Sequence, residues 1–282
     1  MRPTFAIYLC ALVCACASTP EKEAPADEFT IEEQPPSLAV FSGDLPDGEL
    51  YRTSRGADFE KVCEELSQVD VVYVGGATAS PDAARLSFQI IRQLHVRKRL
   101  DGIGLARFER KDQTALDEFS RGRIDRAALA ERTGIDWTVG GAILDFARKH
   151  RITLVGLAVE SDILSVVQHK GRSGLSEEQV RRIPADSGAF NETPGDANEQ
   201  AARLLDDVMA DTVVGWRRAS PTGAQMLVLA PAIHVAHRRC LPRRARERSG
   251  GKHQTLVIVP AQQKSDAMLA SDYADFIWVA GE

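Results

Sequence analysis

Short apolar runs alternate with amphipathic stretches through most of the chain. The runs are rich in valine, isoleucine and leucine, as buried strands are, and they cover residues 69–75, 103–108, 152–159, 226–230, 255–259 and 276–279. A helix is predicted to begin at Pro81, with a broad apolar face and a basic cluster at its end, residues 97–99. Strands that alternate with helices predict an α/β fold with a mainly parallel central sheet flanked by helices.

More helices are predicted between the later strands. Between residues 113 and 150 the apolar periodicity predicts two or three helices, which we expect to form a helical cap. Other helices are expected at residues 163–169, from Ser176 and at 197–218. The segment 184–196 is predicted to be a loop.

The first residues of the chain have the pattern of an export signal. An apolar run at residues 5–15 follows a basic residue and is too short to span a bilayer. The run ends in a sequence that resembles a bacterial lipobox, in which the small Ala15 precedes Cys16, and we therefore expect lipidation of Cys16. Cys14 is an alternative, but Val13 before it is bulkier than Ala15. An ordinary secretory signal that is cleaved elsewhere is the other interpretation.

The predicted organisation is a lipoprotein signal peptide at residues 1–16, a tether at 17–36 and one α/β domain at 37–282. The tether is expected to be disordered because it lacks apolar periodicity and is rich in Pro, Glu, Ala, Thr and Ser. Acyl chains on Cys16 would hold the domain at a membrane of the cell envelope. Since Ala17 gives no retention signal for the inner membrane, we expect the periplasmic face of the outer membrane.

Charge and cysteine content narrow the classes of function. The net charge of -5 and the pI near 5.8 give no reason to expect a nucleic-acid partner. Three of the five cysteines lie in the predicted signal, which leaves Cys63 and Cys240 as either one disulfide or two separate thiols. The sequence has no paired CxxC units, no phosphate-loop motif and no GxSxG.

A series of short motifs runs from Tyr51 toward the C-terminus. The series consists of Tyr51-Arg-Thr, the strand at 69–75, the Pro81-Asp helix start, Gly104-Leu-x-x-Phe108, Leu116-Asp-x-Phe119, Gly122-Arg, Asp136-Trp137, the strand from Arg151, Leu175-Ser-x-Glu178, Met209-Ala210 and His234-Val235. Their order and spacing resemble the ChaN type of haem-binding uptake lipoproteins, within the Tiki superfamily of metal-dependent hydrolases and their relatives. The resemblance implies haem binding that is linked to iron uptake.

This chain departs from the family pattern at the ends of its predicted strands. In the family the first strand ends in Gly-Glu-x-His, the second ends in Gly-Leu-Glu, and a later strand is followed by His-Val. Gly75 and His234 are retained. Gly76 and Thr78 replace the first Glu and the His, and Ala106 replaces the second Glu. Because ligands bind beyond the carboxyl ends of strands in open α/β sheets, these positions should share one rim.

The replacements change the chemistry that this rim can support. Zinc normally has at least three protein ligands, so the one remaining imidazole predicts no tightly bound zinc and no metallohydrolase activity. Haem needs only one axial ligand and an apolar cleft. The resemblance makes His234 the candidate ligand, with Tyr51 and Tyr73 as alternatives. A histidine that is hydrogen-bonded at the sheet edge without a ligand role is the competing interpretation.

Two further features follow His234 in the sequence. His237 would face the same way on a helical turn, or would be a surface histidine. The basic stretch 238–248 has the charge to bind haem propionates or phospholipid head groups. A solvated face is the favoured interpretation of this stretch because Glu247 interrupts it.

Two functions from different classes remain. The first is haem capture for iron uptake, with an outer-membrane uptake partner or as a homodimer, and it predicts an apolar cleft beside His234. The second is a degenerate, non-catalytic member that acts as an envelope interaction module without a small-molecule site. It predicts that Gly76, Thr78 and Ala106 are packed into a surface without a ligand.

Overall fold

A central sheet organises the part of the chain that the computed structural model describes, which is residues 45–52, 54–97, 100–135, 140–184, 196–238, 240–265, 268–269 and 272–281. The predicted signal peptide, Cys16 and the predicted tether lie outside the described residues, as does most of the predicted loop at 184–196. The described residues belong to one unit, Pro35–Glu282. Among them, no helix combines the length and the apolar character that crossing a membrane requires.

The strands of this sheet are β1 (Gly48–Arg52), β2 (Arg55–Gly56), β3 (Val71–Gly75), β4 (Leu100–Glu109), β5 (Thr153–Ala158), β6 (Gln225–Ala230), β7 (His253–Val259) and β8 (Phe276–Ala280). Their order across the sheet is β2-β1-β8-β7-β3-β6-β4-β5. Every neighbouring pair from β8 to β5 is parallel, whereas β1 pairs antiparallel with β8 and with β2. The prediction of a mainly parallel sheet flanked by helices is confirmed.

The described α-helices are α1 (Phe59–Leu66), α2 (Pro81–Val96), α3 (Gln113–Ser120), α4 (Arg126–Thr133), α5 (Gly141–His150), α6 (Ser161–Lys170), α7 (Glu177–Arg182), α8 (Ala197–Ala219), α9 (Ala232–Val235) and α10 (Leu241–Ser249). The start of α2 follows from its sequence, because the hydroxyl of Ser80 accepts a hydrogen bond from the backbone N–H of Ala83 and Pro81 occupies the first turn. The acidic Asp196 caps α8 in the same way.

The two faces of the sheet bury separate cores because side chains alternate along each strand. Val72 and Val74 of β3 point into the first core, which α1 to α5 cover. Val71 and Tyr73 point into the second core, which α8, α9 and α10 cover. The helices expected to form a cap, α3 to α5, therefore bury their apolar faces in the same core as α2, with ring contacts such as Phe88 to Phe146 at 5.4 Å between centroids.

Candidate functional site

The motif residues Gly75 and His234 lie at the carboxyl edge of the sheet. Gly75 is the last residue of β3 and pairs with Ala230, the last residue of β6. The chain then turns directly into α9, which contains His234 and packs against β3 and β7. A Cβ atom on Gly75 would lie 3.0 Å from the Cβ of Val235, so the glycine lets α9 approach the strand end closely.

His234 is held by a buried carboxylate on the neighbouring helix α8. Its Nδ1 lies 2.8 Å from Oδ1 of Asp206, and the two side chains are only 13% and 7% exposed. The thiol of Cys240 forms a second hydrogen bond to Asp206. Burial raises the pKa of Asp206, and the hydrogen bonds from His234 and Cys240 act against that rise.

The hydrogen bond to Asp206 determines which ring nitrogen of His234 can bind a ligand. A carboxylate that accepts from Nδ1 fixes the proton on that atom and leaves Nε2 with a free lone pair. Within the described part of the chain, Nε2 has no hydrogen-bond partner. Metal-bound histidines usually have this arrangement, in which a carboxylate orients the ring and increases the basicity of the other nitrogen. The preceding residue on α9, Ile233, is 75% exposed, which places an apolar side chain at the surface of this helix.

Three positions, Gly76, Thr78 and Ala106, are predicted from the family resemblance to replace a Glu, a His and a Glu, and all three are at least half-buried. Gly76 is buried and has a φ of 78°, and a Cβ there would lie 2.6 Å from the carbonyl oxygen of Ile258. A glutamate does not fit this backbone without rearrangement. Ala106 is half-buried and packs against the second core. Thr78 is half-buried in the turn that follows β3.

The two tyrosines predicted as alternative haem ligands do not join His234. Tyr73 is fully buried in the second core, and its hydroxyl lies 3.1 Å from Nδ1 of His253, at the amino end of β7. Burial raises the pKa of Tyr73 far above its ordinary value. Tyr51 lies on β1, where its hydroxyl donates to Glu49 and accepts from Nζ of Lys264 at 2.6 Å. Both oxygens already have partners, so the structure does not support either tyrosine as a ligand at this edge.

His237 does not share a helical face with His234. Its backbone has a φ of 60°, in the left-handed region, which interrupts the helical path after α9. The backbone N–H of His237 donates to the carbonyl oxygen of Tyr273 at 2.6 Å, and the two rings meet edge-on at 4.9 Å between centroids. The side chain is exposed, as the surface interpretation predicted.

The basic stretch is divided between a buried network and a solvated face. Asp207, next to Asp206 on α8, is completely buried and accepts hydrogen bonds from Arg244 at 2.9 Å and from Arg248. Arg248 also donates to Asp211 at 2.8 Å. These ion pairs connect α10 to α8. The expectation that the whole basic stretch 238–248 is solvated is therefore wrong for Arg244 and Arg248. Arg243 and Arg246 are exposed, in agreement with that expectation.

The two domain cysteines are separate free thiols, so the disulfide alternative is not supported. Cys63 is buried on α1 beside the first core, whereas Cys240 precedes α10 at the second core. Burial raises the pKa of Cys63 to about 12 and that of Cys240 to about 11. Neither thiol is therefore an activated nucleophile at neutral pH.

Sequence reasoning missed Asp206, although the sequence contains a signal for it. Asp206 precedes Ala210 and Val213 by four and seven residues, so it occupies the apolar stripe of α8. A carboxylate in an apolar stripe must find a partner when it is buried. Among the described residues, no group of three or more His, Cys, Asp and Glu side chains is placed to bind a metal ion.

Comparisons with known proteins extend the description of the fold. ChaN of Campylobacter jejuni, whose structure is described as showing cofacial heme binding, matches with a TM-score of 0.61 and 14% identity, over 84% of this chain and 98% of that one. An erythromycin esterase variant in its open conformation matches with a TM-score of 0.50 and 13% identity, over 74% of this chain and 75% of that one. At these identities the likeness shows the fold alone.

A curated relative and a family model complete the comparisons. The chloroplastic protein RETICULATA-RELATED 5 of Arabidopsis thaliana is 26% identical over 261 residues, and the match covers 79% of this chain and 36% of that protein. This chain therefore spans about a third of its relative's length. The family model for haem-binding uptake, Tiki superfamily, ChaN, matches residues 62–245. That match covers more than half of the sequence, and the chain belongs to this ChaN family of the Tiki superfamily.

Proposed function

We propose that this protein binds haem and that Nε2 of His234 is the axial ligand. The observation that carries the proposal is the 2.8 Å contact between Nδ1 of His234 and the buried carboxylate of Asp206. Haem, when bound, supplies an iron centre that accepts one imidazole nitrogen. Asp206 keeps the proton of the ring on Nδ1 and fixes the direction in which Nε2 points.

The other side chains at this edge suit a flat apolar ligand. Ile233, which precedes His234 on α9, offers an exposed apolar side chain. The exposed Arg243, on the helix that begins after Cys240, pairs with Glu247 at 3.4 Å, and its guanidinium would have to turn from this exposed pair to meet a propionate. Cofacial heme binding in the Campylobacter relative supports haem as the ligand class, and it makes a homodimer the assembly to test first.

The proposal places the protein in the cell envelope and in iron uptake. Cys16 would carry the acyl chains, residues 17–36 would act as the tether, and the domain would face the periplasm from the outer membrane. Labelling cells with a radioactive fatty acid tests this part: label that is lost in Cys16→Ala but kept in Cys14→Ala supports the anchor, and the reverse assigns it to Cys14. Recovery of the protein only in the inner membrane would contradict the predicted location.

A hemin titration followed at the Soret band tests the ligand. We expect saturable binding to the purified protein, weakened at least tenfold by His234→Ala because the axial bond is lost. Asp206→Asn should weaken binding roughly tenfold, since outer-shell partners of ligating histidines typically contribute that much. His237→Ala is the matched control and should bind as the unsubstituted protein does.

The competing function is an envelope interaction module without a small-molecule site. The packing of Gly76 and Ala106 favours it, because neither position contributes a polar group to the edge. Equal hemin spectra for the unsubstituted protein, His234→Ala and Asp206→Asn would support this module and reject the ligand assignment. We also propose that the protein is not a hydrolase, since these positions hold no carboxylate; the esterase match concerns the fold alone.

A further inference from the structure

A groove of about 790 Å³ lies at the amino edge of the sheet, opposite the edge that contains His234. Its base includes Leu100 and Thr153, the first residues of β4 and β5. The C-terminal ends of three helices form its walls: α2, α5 and α8. The volume is in the range of pockets that bind small molecules.

Aromatic rings line two sides of this groove, because α8 covers one face of the sheet whereas α2 and α5 cover the other. The indole of Trp216 lies against the backbone of β4, where only a glycine leaves space: a Cβ on Gly102 would be 2.5 Å from the indole Cζ2. His95 and His150 bring their rings together at 4.4 Å between centroids, and Phe146 supports His150 at 4.2 Å. Such surfaces bind flat apolar ligands by stacking.

Apolar and charged groups border the rings. Val96 is 74% exposed at the groove, although a side chain of this kind is normally buried. Burial lowers the pKa of His150, and the neighbouring His95 and Lys149 lower it further. Asp101 also lines the groove, and its carboxylate already accepts the backbone N–H of Gln225 at 3.0 Å.

Arg151 supplies an uncompensated cation. Its side chain is exposed and lines both this groove and an adjoining one, and within the described part of the chain no carboxylate pairs with it. Its backbone has a φ of 56° at the position just after α5, where glycine is the usual residue. An arginine thus occupies a position where its backbone is strained, as occurs at functional sites.

We propose that this groove is a binding site for a flat aromatic anion, such as an aromatic carboxylate or sulfonate. The ring system of the ligand would lie between Trp216 on one side and the paired imidazoles on the other, and its anionic group would meet the guanidinium of Arg151. The site does not depend on haem binding at His234, because the two positions lie at opposite ends of the parallel strands.

Anilinonaphthalenesulfonate is the probe, and energy transfer from tryptophan gives a local signal. We expect saturable binding at one site per chain, with transfer that is largely lost in Trp216→Phe. Arg151→Gly, which suits the positive φ, should weaken binding about five- to tenfold by removing the charge-assisted contact. Gly102→Ala should also weaken it, since the new methyl group displaces the indole.

Two controls make the result specific. N-phenylnaphthylamine has the same rings without the sulfonate, so its affinity should be unchanged by Arg151→Gly. Arg246→Gln removes an exposed arginine elsewhere and should leave both probes unaffected. Binding that does not saturate, or equal sulfonate affinity in the unsubstituted protein, Arg151→Gly and Gly102→Ala, would overturn the proposed site. Failure of hemin to bind at His234 would not affect this outcome.

Discussion

The two edges of the sheet use histidine in different ways. At the carboxyl edge a single imidazole, that of His234, is bound to a buried carboxylate and has one free nitrogen. At the amino edge two imidazoles, those of His95 and His150, contact each other in an open groove and have no carboxylate partner within the described part of the chain. The first arrangement leaves one nitrogen for the proposed coordination, and the second presents two rings, tilted by 57°, to the proposed aromatic ligand.

The backbone differs between the edges in a similar way. Gly76 at the carboxyl edge and Arg151 at the amino edge both have positive φ, but only the first is a glycine. Gly76 adopts its left-handed conformation without strain, but it lacks the carboxylate that the family resemblance predicts at this position. Arg151 has a strained backbone at the amino edge, and it places a charged side chain there. Arg151 therefore presents a guanidinium from a left-handed position, whereas Gly76 has no side chain there.

The largest expected effect comes from the buried charges that support the carboxyl edge. Asp207→Ala should lower the free energy of unfolding by about 3–5 kcal/mol, because Arg244 and Arg248 lose the buried carboxylate that they share. Urea denaturation measures this change. Glu177→Ala breaks an exposed pair with Arg181 and should cost less than about 1 kcal/mol. If Asp207→Ala and Glu177→Ala lowered the free energy of unfolding by similar amounts, the buried ion pairs of Asp207 would not stabilise the carboxyl edge.

The next effect tests whether the backbone at Gly76 admits a side chain such as the glutamate that the family resemblance predicts there. Gly76→Ala should lower the free energy of unfolding by about 2 kcal/mol or more, from left-handed strain together with the contact to Ile258. Gly134→Ala is the matched control, because Gly134 has a φ of 68° and no atom near the added Cβ. Gly134→Ala should introduce only the left-handed strain, so it should lower the free energy of unfolding by less than Gly76→Ala does. Equal costs would mean that the carbonyl of Ile258 does not exclude a side chain at Gly76.

A third prediction concerns a histidine that belongs to neither edge site. Burial lowers the pKa of His253 to about 4, and the neutral ring contacts the hydroxyl of Tyr73. Between pH 6.5 and 4 the unfolded chain binds a proton that the folded protein does not, so stability is complete above this window and decreases as the pH falls. The slope from this group is at most about 1.4 kcal/mol per pH unit.

His253→Gln removes this titration while keeping polar atoms near Tyr73. Urea unfolding across the window should show a slope that is smaller by about one proton than that of the unsubstituted protein. An unchanged slope would place the acid sensitivity in carboxyl groups instead.

The smallest effect has the opposite sign. Arg151→Gly should raise the free energy of unfolding by about 1 kcal/mol, because glycine adopts the left-handed conformation without a Cβ clash. Arg151→Ala removes the same guanidinium but keeps the Cβ, and it should give no gain. Thermal unfolding of the two variants measures the difference. If both variants were more stable than the unsubstituted protein, the destabilisation would come from the charge of Arg151 and not from its backbone conformation.

Most of the fold could be predicted because its signals are local. Each of the six apolar runs became a parallel strand, since a strand covered on both faces needs large apolar side chains at almost every position. The hairpin of β1 and β2 was not predicted, because it lies at the sheet edge and much of its surface is exposed. The lipidation of Cys16 stays a prediction.

The sequence by itself determined the α/β architecture, the family and the candidate His234. Only the tertiary structure decided what that histidine can do, because its partner Asp206 lies 28 residues earlier and reaches it through the packing of α8 on the sheet. The same is true of Tyr73, which the structure places in the core, and of the amino-edge groove, where residues from three helix ends meet. Periodicity records which side of an element is buried, whereas a site depends on which buried sides face each other.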